Sequence, residues 1–406
     1  MSSRVLLPRC APNLATVAIA SLVAGCFSSS TGGGPAPSAE SGDQAVSEGG
    51  PSSDSGKTDA SSHDDASGTD AQPEANIRES GISDSLSESD APSTPPTPPS
   101  LLSATGLFTS IASDGTLVLA DGVQEYQPLY ALWADGAQKV RWIYLPPGSK
   151  IDTTTSMDHW SFPAGTKLWK EFDLNGQRLE TRLVWKWGSG ANDFIYTAYW
   201  WNPEGGIPND AENTETEFGV QDVNGTTHDI PAEQDCETCH DSIVEHVLGF
   251  GAIELNDSLP GANINSLIEA GSLTTNPALA DLAIPGDTTA QAALGYLHAN
   301  CGNCHNDTPG PGAAEVPPMY LRLLVGTQTV QETDTYTTAV NQEATDFTPA
   351  GITYRIAGGD PAESCIIYTM DQRDDSRYEM PPLASNIVDD AGVGTVSAWI
   401  QTLPVP

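Results

Sequence analysis

The sequence predicts a multidomain chain in three parts. A long disordered N-terminal linker leads into an antiparallel β-rich domain, a sandwich or small barrel, which is followed by a mostly α-helical region. Three observations predict this. Residues 27–100 hold 13 acidic and 2 basic residues and almost no large apolar ones, too little to offset the entropy of ordering. Eight of the nine tryptophans fall between Trp133 and Trp201, in runs that alternate with a period of two. Near the C-terminus the apolar period becomes helical, as in Val393, Val396, Trp399, Ile400 and Leu403.

The 406 residues carry a formal net charge of -38. Two or three domains suit that length. The charge repels polyphosphate and anionic lipid, which excludes nucleic acid and membrane surfaces as electrostatic partners. It suits a basic protein partner, although acidity alone is also an ordinary solvated surface.

Residues 1–25 have signal-peptide architecture. Arg4 and Arg9 precede the apolar stretch Leu14–Ala24, which is too short to be a good membrane span. Leu22-Val23-Ala24-Gly25-Cys26 resembles a bacterial lipoprotein cleavage box, with Cys26 as the lipidated first residue of the mature protein. An ordinary signal peptide with a chance cysteine is the alternative. Residues 26–100, Ser/Gly/Pro-rich and acidic, are the tether a lipoprotein needs. Membrane contact is then through the lipid anchor only.

Residues 101–230 form the β domain. Val140, Trp142 and Tyr144 share one strand face, and Leu183, Trp185 and Trp187 another. Phe194, Tyr196, Ala198 and Trp200 repeat the pattern. Asn175-Gly176 joins Lys167–Leu174 to Gln177–Trp187 and predicts a type I′ hairpin. Gly188–Asp193 turns the chain again. Tryptophans at this spacing point to a core, and a ligand groove, for instance for a glycan, stays open.

Four of the seven cysteines stand in two copies of one pattern, Cys236-Glu237-Thr238-Cys239-His240 and Cys301-Gly302-Asn303-Cys304-His305. Cys-x-x-Cys-His is the attachment segment of a c-type haem. One turn brings both sulfurs to the porphyrin edge and aims the imidazole at the iron as proximal ligand. The pattern predicts two covalent haems c, with His240 and His305 on the metals. Zinc pairs usually lie some 15–20 residues apart, against 61 between Cys239 and Cys301. Redox dithiols do not need the histidine that both copies carry.

The first haem segment spans 231–287 and the second module 288–406. Thr289–Asn300 predicts a helix into the second motif, and the Val393–Leu403 stripe predicts a closing helix. Asp360-Pro361-Ala362-Glu363 is a helix start, and Cys365 beyond it a buried small hydrophobe. With Gly295 beside Tyr296, the pair of helices resembles the cytochrome c arrangement, in which a glycine makes room for an aromatic ring. Met380, in Glu379-Met380-Pro381-Pro382, resembles the cytochrome c distal ligand, against the alternative of a surface methionine in a turn. For the first haem, His246, His298, His228, Met319, Met370 and a vacant position all stay open as the sixth ligand.

Longer blocks carry a family resemblance. Leu132-Trp133-Ala134-Asp135-Gly136, Arg141-Trp142-Ile143-Tyr144-Leu145-Pro146-Pro147-Gly148, Phe162-Pro163-Ala164-Gly165-Thr166 and Glu180-Thr181-Arg182-Leu183 resemble the opening of a group of bacterial, predicted exported dihaem c-type cytochromes. Ile230-Pro231, Leu248-Gly249-Phe250, Tyr296-Leu297-His298-Ala299-Asn300-Cys301 and Gly359-Asp360-Pro361 are similar to the surroundings of its haem motifs. The resemblance covers about residues 101–406. It implies an exported electron-transfer protein and supplies no substrate.

The expectation is an extracytoplasmic lipoprotein of the bacterial cell envelope, periplasm-facing or on the outer surface. It passes single electrons between redox partners and is a carrier rather than an enzyme. The rivals are a dihaem peroxidase or oxidase with an open first haem, and a ligand-binding β module with a haem outlet.

Overall fold

Asn175 and Gly176 both take positive φ, 57° and 81°, the mirror-image turn that matches the twist of paired strands. They join the two longest strands of a six-stranded antiparallel sheet. The structure, a computed structural model, describes residues 94–406 apart from 206–208, 215–217, 257–258, 312–317, 346–347, 349–350, 374–377 and 384. The signal segment, Cys26 and nearly all of the linker lie outside the described residues.

Two short strands come first, β1 (Phe108–Ile111) and β2 (Leu117–Leu119), paired as a ribbon. The sheet follows as β3 (Val123–Tyr126), β4 (Gln138–Tyr144), β5 (Lys167–Leu174), β6 (Gln177–Lys186), β7 (Phe194–Trp200) and β8 (Glu212–Asn213), ordered in space as in sequence. Sandwich or barrel was the expectation, and the sheet is instead an open meander with β3 and β8 at its edges. The ribbon, not a second full sheet, covers one face. There Leu102, Leu107 and Phe108 pack on Trp142, Trp169, Leu183 and Tyr199. The β3 edge is blocked by a loop rather than by closure, with the Ala262 N–H donating to the Glu125 carbonyl at 2.7 Å. Gly261 makes that approach possible: its φ is +95°, and a Cβ there would stand 2.0 Å from the Glu125 oxygen.

Six helices follow: α1 (Glu233–His240), α2 (Ile264–Glu269), α3 (Thr288–Asn300), α4 (Asp334–Ala339), α5 (Cys365–Met370) and α6 (Asp390–Ile400). The expectation of a mostly α-helical region is corrected here. Only α3 and α6 exceed ten residues, and turns and loops join the rest. Segments as short as α2, α4 and α5 are not stable helices alone. Side-chain caps hold two of them, with Asn263 accepting from Ser266 N and Thr333 from Tyr336 N. The start at Asp360 is a 3-10 turn, Pro361–Glu363, and Ser364 breaks it from α5.

Helices α3 and α6 pack together over Leu294, Leu297, Val396, Trp399 and Ile400. The Tyr296 ring occupies the space a Cβ of Gly392 would need, 2.3 Å away, and Gly295 is fitted in the same way by Tyr130. A further core joins the sheet to the chain after α1. Tyr126, Ile143 and Leu168 meet Val247, Phe250 and Leu255, so the sheet and the first motif share one hydrophobic interior.

Candidate functional site: a cavity bordered by both Cys-x-x-Cys-His motifs

Alternation sorts the sheet into two faces. The face away from the ribbon carries Lys139, Arg141, Leu168, Lys170, Phe172, Glu180, Arg182 and Val184. Of these, Lys139, Leu168, Lys170, Phe172, Arg182 and Val184 line one wall of a cavity of about 430 Å³, within the usual range for small-molecule and cofactor pockets. Helix α1 forms another wall through Cys236, Cys239 and His240. The second motif contributes Asn303 and Cys304, and the chain beyond it Glu379, Pro381 and Pro382. Two segments 61 residues apart in sequence thus border one space.

Their contact is direct. Cys304 lies beside Ser242, which sits two residues past His240 and whose hydroxyl donates to the Thr238 carbonyl. The Gly310 N–H donates to the Ser242 carbonyl at 2.9 Å, and Ile243 forms a β-bridge with Pro309. A Cβ on Gly310 would lie 2.4 Å from the Asp241 carbonyl oxygen and 2.7 Å from Ile243. Only glycine lets the two backbones approach this closely.

Each motif histidine has one ring nitrogen committed. His240 Nδ1 lies 2.8 Å from the His246 carbonyl oxygen, and His305 Nδ1 lies 3.1 Å from that of Met319. A carbonyl only accepts, so Nδ1 carries the proton and Nε2 keeps its lone pair. This is how metal-ligating histidines are held. Burial lowers the basicity of both, His240 to about 3.

The sheet also orients His240. Tyr196 on β7 stacks on its ring at 4.7 Å, and its hydroxyl donates to Asp241 Oδ1 at 2.8 Å. Asp241 also meets His246 Nδ1 at 2.8 Å, and His246 Nε2 lies 3.2 Å from Asn192 Oδ1. Sequence reasoning missed Tyr196, which registered only as one more alternating aromatic.

Burial acts on the thiols in the direction opposite to that of a catalytic dithiol. Burial pushes Cys236 and Cys239 up to about 11 and Cys301 to about 12, whereas catalytic Cys-x-x-Cys pairs depend on lowered values. Among the described residues no three His, Cys, Asp or Glu side chains converge as a metal cage, as a closed zinc site requires.

The candidates for a sixth ligand fare differently. His246 and His298 have both nitrogens engaged, His298 with Glu254 at 2.9 Å and with the Leu323 N–H at 3.0 Å. His246 is 1% exposed, so it does not face solvent. His228 Nε2 meets Glu180 at 2.7 Å. Met370 is buried and Met319 packs against the α3–α6 core. Neither these five nor Met380 is among the residues lining the cavity. Met380 is half-buried, with its N–H on the Thr369 carbonyl at 3.1 Å.

A buried ionic network braces the site from behind. Glu245 pairs with His159 at 3.1 Å and with Arg322, which also donates to the Asp158 carbonyl at 2.6 Å. Burial works to raise the carboxyl of Glu254, but His298 and then Arg322 outweigh it and hold it at about 2. Gly302 fits beside Arg322, whose Cα a Cβ would approach to 2.9 Å.

Comparison with known proteins adds no relative: no family model, curated protein or solved structure matches the chain.

Proposed function

We propose that this chain is an exported dihaem c-type cytochrome that passes single electrons between redox partners. The convergence of the two motifs on one cavity carries the reading. A haem on each motif would stand near the other, as electron transfer between them needs, although of the second motif only Asn303 and Cys304 line the cavity. Cys236, Cys239 and His240 would hold the first, and Cys301, Cys304 and His305 the second. Each histidine keeps its Nε2 lone pair for an iron, and the lining beside His240 is mainly apolar. The haem would supply the reversible one-electron chemistry. Met380, its loop beside the second motif, would be the distal ligand of the second iron and favour a high potential.

The α3–α6 pair, with the Tyr296 ring seated at Gly392, supports a cytochrome c-like module at 288–406. The lipid on Cys26 and the linker would tether it at the cell envelope. Among the described residues no helix is long and apolar enough to cross a membrane.

A second reading has one observation in its favour. His240 is the only imidazole on the described cavity wall, and no methionine lines it. A first iron without a protein sixth ligand would be open to a small substrate, as in a dihaem peroxidase. The deciding experiment is a haem count on the full chain, matured in a host that attaches c-type haem, followed by its optical spectrum. Two covalent haems, both low-spin, support the carrier. Two haems with one high-spin and turnover of hydrogen peroxide support the enzyme. No covalent haem sinks both.

A further inference from the structure

The sheet wall of the cavity is cationic in an otherwise acidic chain, with Lys139, Lys170 and Arg182 among its lining residues. The sheet register places Arg141, Lys170 and Arg182 directly opposite one another on β4, β5 and β6, with Lys139 two residues from Arg141 on the same face. Like charges at directly paired positions are destabilising. The chain has 16 Lys and Arg against 54 Asp and Glu, so chance does not favour such a row. The single carboxylate among its strand neighbours on this face is Glu180, and it is already used. Arg182 holds it with two bonds, 3.0 and 2.6 Å, and His228 takes a third at 2.7 Å.

Among the described residues no ion pair reaches Arg141 or Lys170, and the Lys139 amine has only the Leu132 carbonyl at 2.8 Å. Acids on the other cavity walls are turned to other tasks. Asp235 accepts from the Ala232 N–H at 3.1 Å, Asp229 from Asn386 at 2.9 Å, and Glu379 lies 3.9 Å from Arg373. Burial and then the neighbouring cations push Lys170 well below its ordinary value, and Lys139 down to about 8.

We propose that Lys139, Lys170 and Arg182, which line the cavity with Arg141 beside Lys170 in the row, form a carboxylate-binding wall that receives the two propionate groups of the porphyrin attached at Cys236 and Cys239. This rests on the haem reading above and deepens it by giving the β-sheet a task. The sheet is one wall of the first haem site, and its cations compensate two carboxylates that burial alone would exclude. A cation here favours the state that holds the extra electron, so removing it lowers the potential.

The test is a redox titration of the full, haem-loaded chain carrying Lys170→Leu, with exposed Lys150→Leu as a control for overall charge. The expected result is a fall in one of two midpoints by roughly tenfold in the underlying equilibrium, about 59 mV for a one-electron couple. The second midpoint and the control stay unchanged, and Lys170→Arg restores the first. If Lys170→Leu does not accumulate with two haems, Lys139→Leu carries the same test, with a smaller fall expected.

Unchanged midpoints in a chain with two haems overturn the assignment and leave the haem reading standing. A change of spin state that Lys170→Arg does not reverse would make the amine an iron ligand, which also overturns it. A saturable shift with added inorganic phosphate, lost in Lys170→Leu, would make the row a site for free anions instead. A single midpoint, with no haem on a Cys301→Ala/Cys304→Ala chain, sinks the underlying reading and this inference with it.

Discussion

Gly310→Ala tests the convergence of the two motifs. A methyl group there would sit 2.4 Å from the Asp241 carbonyl oxygen and 2.7 Å from both the carbonyl carbon and oxygen of Ile243. All three are backbone atoms, so no side chain can swing away. Segment 309–310 must therefore retreat, and the bond from its N–H to the Ser242 carbonyl (2.9 Å) opens. Overpacking costs about 1–3 kcal/mol, and a lost hydrogen bond roughly 0.5–1.5 kcal/mol. A less flexible unfolded chain returns about 0.4–1 kcal/mol. The net expectation is a loss of about 2–3 kcal/mol. Guanidinium unfolding of the haem-loaded full chain measures it, with wild type beside it. The redox titration should also change, because the Gly310–Ser242 contact sets the spacing of the two motifs. A variant as stable as wild type, with unchanged midpoints, would refute the close approach.

Three further outcomes follow from the same geometry. Gly392→Ala and Gly394→Ala, two residues apart on α6, should act in opposite directions. The first drives a methyl into the Tyr296 ring and should destabilise by about 1–3 kcal/mol, while the second meets nothing within 4 Å and should stabilise by up to about 1 kcal/mol. Thermal melts of both variants compare them directly. Glu254 is held at about 2 against an ordinary 4.5. A depressed carboxylate stabilises the fold fully above the unfolded value and loses that contribution as pH falls toward the folded one. Acid unfolding followed by circular dichroism should therefore show a steep loss between about pH 5 and pH 2, flattened in Glu254→Gln. Residues 231–406 hold 24 acidic and 4 basic residues, so electron transfer to a basic partner should slow steeply with added salt, and salt-independent rates would argue against such docking.

Short-range signals read directly from the chain. The hairpin at Asn175-Gly176, the bounds of β5 and β7, the start of β6, and the helices entering the second motif and closing the chain follow from turn chemistry and period. They depend on neighbours within a few residues. The pattern Cys-x-x-Cys-His is legible for the same reason, since its chemistry sits on one turn. The expectation of a mostly α-helical region fails because period alone does not show how often loops interrupt the helices. A sandwich or small barrel was equally beyond local pattern to decide, since no spacing reveals a loop at residues 261–262 taking the place of a neighbouring strand.

Other features exist only because the chain folds back. Nothing in sequence spacing indicates that Ser242 meets Cys304, or that Gly310 is glycine on account of Asp241. The cations at positions 141, 170 and 182 look like scattered charges on three strands until register aligns them into a row. Tyr196 becomes a support for His240 only when β7 lies against α1. Local pattern determines which residues can form a strand, a turn or a haem-attachment segment. Register and close backbone approach are set by contacts distant in sequence, and they decide which of those residues share a cavity.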